Sequence, residues 1–210
     1  MFNVPWRIEC YLDAKGNNPV EDFIEALPVD DRASVRARID FLAEIGNRAR
    51  EPLPKSLGSG LFELRVKASR IFYCFKPGGR IVLLHGFIKK SQKTPRGEMQ
   101  LALNGWRKFD MKKKRTATYR FGISAESAKF RRAYYDELGR LRLAHRIAEL
   151  RERCGLTQAQ LADKVGTTQA GISRLENPNY RNYSLTTLEK VAAALGVRLR
   201  VELEETSKAA

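Results

Sequence analysis

The run Thr157-Gln158-Ala159-Gln160-Leu161-Ala162-Asp163-Lys164-Val165-Gly166-Thr167-Thr168-Gln169-Ala170-Gly171-Ile172-Ser173-Arg174-Leu175-Glu176 decides how the last third of this chain folds. Thr157 can cap a short helix, and Gly166 breaks that helix where the backbone must turn sharply. Thr168 caps a second helix. Leu161 and Ala162 point inward from the first and Ile172 and Leu175 from the second, which is the spacing of two helices packed across a tight turn. Gln169, Ala170, Ser173 and Arg174 are left on the outer side. A helix entering a major groove by its N-terminus would offer them to base edges, Gln to adenine and Arg to guanine. Gln158, Thr167, Thr168 and the first amides of the second helix suit phosphates. The bland reading, in which Gln169 and Arg174 are merely solvated, fits isolated residues better than it fits the whole pattern.

Around this run the pattern is helical. Leu138, Leu141, Ile147 and Leu150 mark a long helix that Gly155 stops, and Leu185 to Leu195 makes another with Ser184 as its cap. Leu199, Val201 and Leu203 alternate with charged residues, which predicts a short terminal strand or extended arm. Thr157 to Asn177 resembles the Cro/C1-type helix-turn-helix of phage repressors, the XRE family, and the likeness extends from about Leu141 to Leu195. The resemblance implies a five-helix domain that binds palindromic operator DNA as a homodimer. Asn177-Pro178-Asn179-Tyr180-Arg181-Asn182-Tyr183 is longer than the family's usual turn. Asn177, Arg181 and Asn182 remain candidates for phosphate contacts there.

The chain has 210 residues and a formal charge of +15, of which +6 falls in residues 1–110 and +9 in 111–210. That length suits two small domains, and the basic charge of each half points to nucleic acid as a partner. Cys10, Cys74 and Cys154 are scattered, which argues against disulfides or a zinc site. No cofactor is expected. The start lacks a signal-peptide core and no apolar run is long enough for a bilayer, so the expected location is the cytoplasm, without membrane contact. With only His85 and His145 present, a paired-histidine catalytic apparatus is not expected.

The first half alternates between strand and helix signals. Trp6 to Leu12 reads as a strand. Asn18-Pro19-Val20-Glu21 starts a helix, with Glu21 at the reciprocal position of a capping box. A second helix runs from about Asp30 to Ile45, with Val35, Ile39 and Leu42 on one face and Gly46 as its stop. Pro52 and Pro54 bracket an irregular stretch. Leu61–Val66, Arg70–Lys76 and Arg80–Ile88 read as strands, Pro77-Gly78-Gly79 turns between the last two, and the apolar run Ile81-Val82-Leu83-Leu84 marks a central strand. Thr94-Pro95 opens a helix to about Trp106. The expected class is therefore an α+β domain with an antiparallel sheet over residues 1–106, a linker over 107–133, and an all-α domain over 134–204. Met111 followed by Lys112, Lys113, Lys114 and Arg115 looks like the start of a second reading frame joined to the first.

Pro54-Lys55-Ser56-Leu57, Gly60-Leu61-Phe62-Glu63-Leu64-Arg65, Arg70-Ile71-Phe72-Tyr73 and His85-Gly86-Phe87-Ile88-Lys89-Lys90-Ser91-Gln92-Lys93-Thr94-Pro95 resemble the HigB branch of the RelE/ParE toxins, the phage-derived Gp49-like group. The likeness runs from about Pro19 to Ala102. It implies a metal-independent endoribonuclease that cuts mRNA on the ribosome, encoded ahead of a HigA-type helix-turn-helix antitoxin, as the order here also has it. Cleavage by the RNA's own 2′-hydroxyl needs a proton acceptor, a cationic clamp on the phosphorane and a proton donor. The resemblance implies that Lys, Arg and Tyr supply these. Lys55, Arg65, Arg70, Tyr73, Lys89 and Lys90 are the candidates, with Arg65 and Arg70 as the clamp and Lys89 or Lys55 as the base. His85, inside an apolar segment, reads as a packed strand residue. Two alternatives stay open: Arg65 and Arg70 pair with Glu63 and do no chemistry, or the domain acts on gyrase, as ParE-like members do. The chain is thus expected to join a toxin to its own antitoxin, with the segment from Thr116 to Arg140 covering the basic face of the toxin half.

Overall fold

The computed structural model describes residues 5–49, 54–89, 97–101, 103 and 116–202. The expected junction around Met111, Lys90, the run 91–95 and Leu203 lie outside these residues. The chain divides into two compact units, Met1–Leu138 and Gly139–Ala210. The first unit therefore takes in residues 116–138, most of which the sequence assigned to a linker.

In the first unit, β1 (Arg7–Tyr11), α1 (Pro19–Glu25) and α2 (Val29–Ile45) precede β2 (Pro54–Gly58), β3 (Leu61–Val66), β4 (Ser69–Lys76), β5 (Arg80–Ile88) and β6 (Thr116–Thr118). The strands form one sheet in the order β2-β3-β4-β5-β1-β6. It is antiparallel apart from β1, which runs parallel to β5. As an inner strand β5 buries Ile81 to Leu84 completely, as their unbroken apolar run requires. Of the stretch bracketed by Pro52 and Pro54 only Pro54 is among the described residues, and it opens the edge strand β2, where a proline in first position costs no ladder bond.

The Asn18 side chain caps α1 by accepting from the Glu21 amide at 3.2 Å. The expected return bond of a capping box is replaced, because the Glu21 carboxylate goes to Arg36 on α2. α1 lies against the sheet at Gly86, where any Cβ would meet the Phe23 ring. Gly46, with φ of 58°, ends α2 and makes room for Trp6, whose ring packs edge-on to Phe75 at 5.2 Å.

The second unit begins inside the long helix α3 (Ala128–Arg153) and continues with α4 (Gln158–Val165), α5 (Gln169–Leu175) and α6 (Leu185–Ala194). Ile147, Leu161, Ala162, Val165, Ile172, Leu175, Val191 and Leu195 form its core. Gly155 (φ 67°) separates α3 from α4, as expected. Of the two expected forms of the terminal stretch, a strand or an extended arm, residues 197–202 show no strand.

Candidate functional site

α4 and α5 are fixed at both ends by local chemistry. The Thr157 hydroxyl accepts from the Gln160 amide at 3.2 Å, and the Gln160 side chain accepts from the Thr157 amide at 2.8 Å, a complete capping box. Gly166 closes α4 in the left-handed region with φ of 73°, and the Thr168 hydroxyl accepts from the Gly171 amide at 3.1 Å to open α5. Ile172 and Leu175 then face the core, which leaves Thr167, Thr168, Gln169, Ala170, Ser173 and Arg174 exposed. Arg181 is exposed in the following loop, and half-buried Asn177 accepts from the Asn179 amide at 2.9 Å.

A polar chain orders the N-terminal ends of α4 and α5. Arg151 grips Glu176 by two bonds of 2.5 and 2.9 Å, and this bonding lifts the guanidinium above its ordinary range. Glu176 accepts from the Gln158 amide group at 2.9 Å, and Gln158 accepts from Gln169 at 3.2 Å. Gln158 is thereby half-buried and holds Gln169, so its place is beside that candidate rather than in open solvent. Thr167, Thr168, Arg174, Asn182, Ser184 and Thr187 border one polar cleft on this side. The Asn177–Tyr183 loop is pinned there by edge-on packing of Tyr180 and Tyr183 at 5.2 Å. Such a surface can lay donors on a duplex backbone while α5 faces a groove.

In the first unit the strand register sorts the cationic candidates. Lys55, Glu63, Phe72 and His85 lie in one row across β2 to β5, and Arg65, Arg70 and Phe87 in the next row on the same face. Glu63, almost fully buried, is the centre of this group, with its carboxylate 3.0 Å from the Arg65 Nε and 3.4 Å from the Arg70 Nε. Arg70 also donates to the carbonyls of Lys67 and Ser69 at 2.6 and 2.8 Å. Burial, more than Glu63 can offset, lowers the Arg70 guanidinium below its ordinary value. Lys55 is exposed and Lys89 half-buried at the end of β5, where its amide donates to the Ala68 carbonyl at 2.8 Å.

Tyr73 does not join them. Three positions from Arg70 on β4, it falls on the opposite face by alternation, fully buried, with its ring stacked on Phe62 at 5.5 Å. Burial pushes its hydroxyl well above the usual range. His85 is where sequence reasoning fell short. It is only partly buried, its Nε2 lies 2.6 Å from the Glu98 carboxylate, and it shares the face of Arg65 and Arg70. The apolar neighbours Leu84 and Phe87 concealed this.

Residues 116–138 build a third surface. β6 pairs with β1, the Thr116 hydroxyl donates to Glu9 at 2.9 Å, and the Tyr119 amide donates to the Ile8 carbonyl at 3.0 Å. Arg36, 2% exposed, lies over the rings of Tyr119 and Phe121 and is paired with Glu21 and Glu25. Arg32 lies over Phe130 and reaches Glu126 at 3.1 Å. Tyr134 donates to Asp40 at 2.7 Å. Glu137 takes a 2.8 Å bond from Arg38 Nε, both side chains being under 5% exposed, and Arg38 donates on to the Arg65 carbonyl at 2.7 Å. The expected cover over the basic face is thus displaced: these anchors are on α2 and β1, where buried Arg36 and Arg38 and half-buried Arg32 and Asp40 of α2 supply the partners.

Among the described residues no helix is long and apolar enough to cross a membrane, and none group as a metal site. Residues 22–107 match the family "Phage derived protein Gp49-like (DUF891)", and residues 147–201 match the family "Helix-turn-helix". A curated relative, "Putative antitoxin HigA3" of Mycobacterium tuberculosis (strain ATCC 25618 / H37Rv), is 43% identical over 63 residues, 30% of this chain and 58% of that protein. The "Immunity repressor protein" of Bacillus phage phi105 is 40% identical over 57 residues, 27% of this chain and 39% of that protein. The chain therefore spans about half the length of these relatives. A chain in the solved "Structure of HipA-HipB-O2-O3 complex" is 35% identical and covers 31% of this chain and 92% of its own, at a TM-score of 0.28, too low to bear on the fold. With both matches falling on the units that carry the corresponding geometry, the chain joins a phage-derived Gp49-like domain to an XRE-type helix-turn-helix domain.

Proposed function

We propose that this chain is a type II toxin–antitoxin module in one polypeptide. The first domain is a metal-independent endoribonuclease that cuts mRNA on the ribosome. The second binds palindromic operator DNA as a homodimer and represses its own transcription, and the segment entering it restrains the first. The observation that carries this reading is the seating of 116–138: directly after a Gp49-like domain, Phe130, Tyr134 and Glu137 are buried, and Tyr119, Phe121 and Glu126 half-buried, beside residues of α2. A tether this short keeps the local concentration of the segment at roughly millimolar or above. Restraint without covering Arg65 and Arg70 is physically possible, because Glu137 is joined through Arg38 to the backbone of β3 at Arg65 itself.

The test is growth of bacteria expressing residues 1–115 from a titratable promoter, beside the full chain. The fragment, shown to be folded by circular dichroism, should arrest growth and yield cleaved message in a ribosome-programmed translation assay, while the full chain should do neither. A folded fragment as harmless as the full chain overturns the toxin reading. The pairing of Arg65 and Arg70 with Glu63 favours a second reading, a transcription regulator whose first domain does no RNA chemistry or acts on gyrase. A supercoiling assay with the same fragment separates the two.

A further inference from the structure

Gln169 opens α5 as an exposed residue, but its carboxamide is not free to turn over. Its Nε2 donates to the Gln158 Oε1 at 3.2 Å, and the Gln158 Nε2 donates to the Glu176 Oε2 at 2.9 Å. A carboxamide carries both a donor and an acceptor, so a chain of carboxamides can run in either direction, whereas a carboxylate only accepts. Glu176, gripped at both oxygens by Arg151, has nothing to donate. It turns the N–H of Gln158 inward and the oxygen of Gln158 outward, and that oxygen draws an N–H from Gln169. From the surface inward each group donates to the next, and the last acceptor is Glu176.

The direction decides what is left for a base. Gln169 gives up one N–H and keeps its carbonyl oxygen and a second N–H, neither with a partner among the described residues. One acceptor beside one donor is what the N6 amino group and N7 of adenine require. Run the other way, the Gln169 oxygen would accept from Gln158 and two N–H groups would face outward, which suits the O6 and N7 acceptors of guanine. That reversal would set the Gln158 oxygen against the Glu176 carboxylate, two acceptors with no hydrogen between them. Water cannot relieve the clash, because the Glu176 side chain is only 8% exposed. We infer that Glu176 is a positioning residue that fixes Gln169 for adenine against guanine without itself touching DNA. This rests on the DNA-binding reading above, with Gln169 at a base edge, and says how that site chooses its base.

The full chain tests it. Selection from randomised duplexes gives the preferred site, and mobility shifts on its single-base-pair substitutions give the preference at each position. Gln169→Ala marks the pair that Gln169 reads. There the parent should favour adenine over guanine by roughly 5- to 150-fold. In Glu176→Gln the side chain both donates and accepts, so the relay can turn over. The preference at that pair should fall to near unity while the other pairs keep theirs. Gln158→Leu cuts the relay but leaves the Arg151–Glu176 pair whole, and should lose the same preference; it decides the matter if Glu176→Gln does not fold. A Glu176 that only braces α5 against Arg151 would lower Tm on replacement and leave the ratio alone. The parental ratio kept in folded Glu176→Gln or in Gln158→Leu, or a parent that prefers guanine at that pair, overturns the relay and leaves the reading by Gln169 standing. A parent that selects no sequence, or a Gln169→Ala chain in which no preference changes, overturns both.

Discussion

Replacing Glu137 by alanine should cost far more than an ion pair on a surface would. Surface pairs contribute about 0–1 kcal/mol, because water already solvates both charges. The Arg38–Glu137 pair is different: both side chains are under 5% exposed, and the guanidinium bonds to the carboxylate at 2.8 Å and to the Arg65 carbonyl at 2.7 Å. Removing the carboxylate strands a buried cation, for which about 3–5 kcal/mol is typical. Replacing the two residues together, Arg38→Met with Glu137→Leu, removes the charge and fills the volume. It should recover most of the loss, less about 1 kcal/mol for the bond to the Arg65 carbonyl. The measurements are urea unfolding of the single and double variants and hydrogen exchange across 116–138. The single variant should exchange fastest, while the double should approach the parent. A Glu137→Ala chain within about 1 kcal/mol of the parent, with unchanged protection, would refute the claim that this pair is shielded from water and fastens the segment.

Asp40 should be worse than asparagine at neutral pH. Burial, partly offset by the Tyr134 hydroxyl, raises its carboxyl above the ordinary 3.8, so the folded chain binds the proton more tightly than the unfolded chain does. The resulting penalty is absent below 3.8 and complete once pH exceeds the raised value, so Asp40→Asn should raise Tm at pH 7 and lose that advantage in acid. Arg174→Ala should weaken binding to the operator by about 1–3 kcal/mol, roughly 5- to 150-fold, and relax preference at one base pair in a mobility-shift series. A uniform loss across sequences would mark Arg174 as a phosphate contact instead. Gly86→Ala should destabilise by about 1–3 kcal/mol, because the new methyl meets the Phe23 ring and α1 must move off the sheet. Thermal unfolding that matches the parent would mean α1 does not pack there.

What the sequence disclosed well was whatever is written locally. The caps at Asn18, Thr157, Thr168 and Ser184, the glycine stops at 46, 155 and 166, and the apolar run of β5 each depend on residues within a few positions of one another. The helix-turn-helix was legible for that reason, since its core positions and its outward residues alternate within twenty positions. β2 was hidden by Pro54 at its start, and the naming of Tyr73 beside Arg70 overlooked that residues three apart on a strand lie on opposite faces. His85 was hidden by apolar neighbours, though its partner Glu98 lies only thirteen positions away.

The boundary expected at 133/134, with 107–133 as linker or antitoxin N-terminal segment, differs from the Leu138 end of the first compact unit for one physical reason. Hydrophobic periodicity counts apolar residues, and the anchoring of this segment is carried by charge. Arg36 and Arg38 look solvated in a helix pattern, yet each is buried because carboxylates arrive from elsewhere, Glu21 and Glu25 for one and Glu137 for the other. A guanidinium can be desolvated only where such partners and aromatic faces meet it together. Neither half of that arrangement is visible in the sequence of the other, since Arg38 and Glu137 stand 99 positions apart. The same argument explains why the composition break near Met111 is a poor guide to where the first unit ends. Charge density marks where the chain changes character, whereas compactness follows the partners, and those partners carry the first unit on to Leu138.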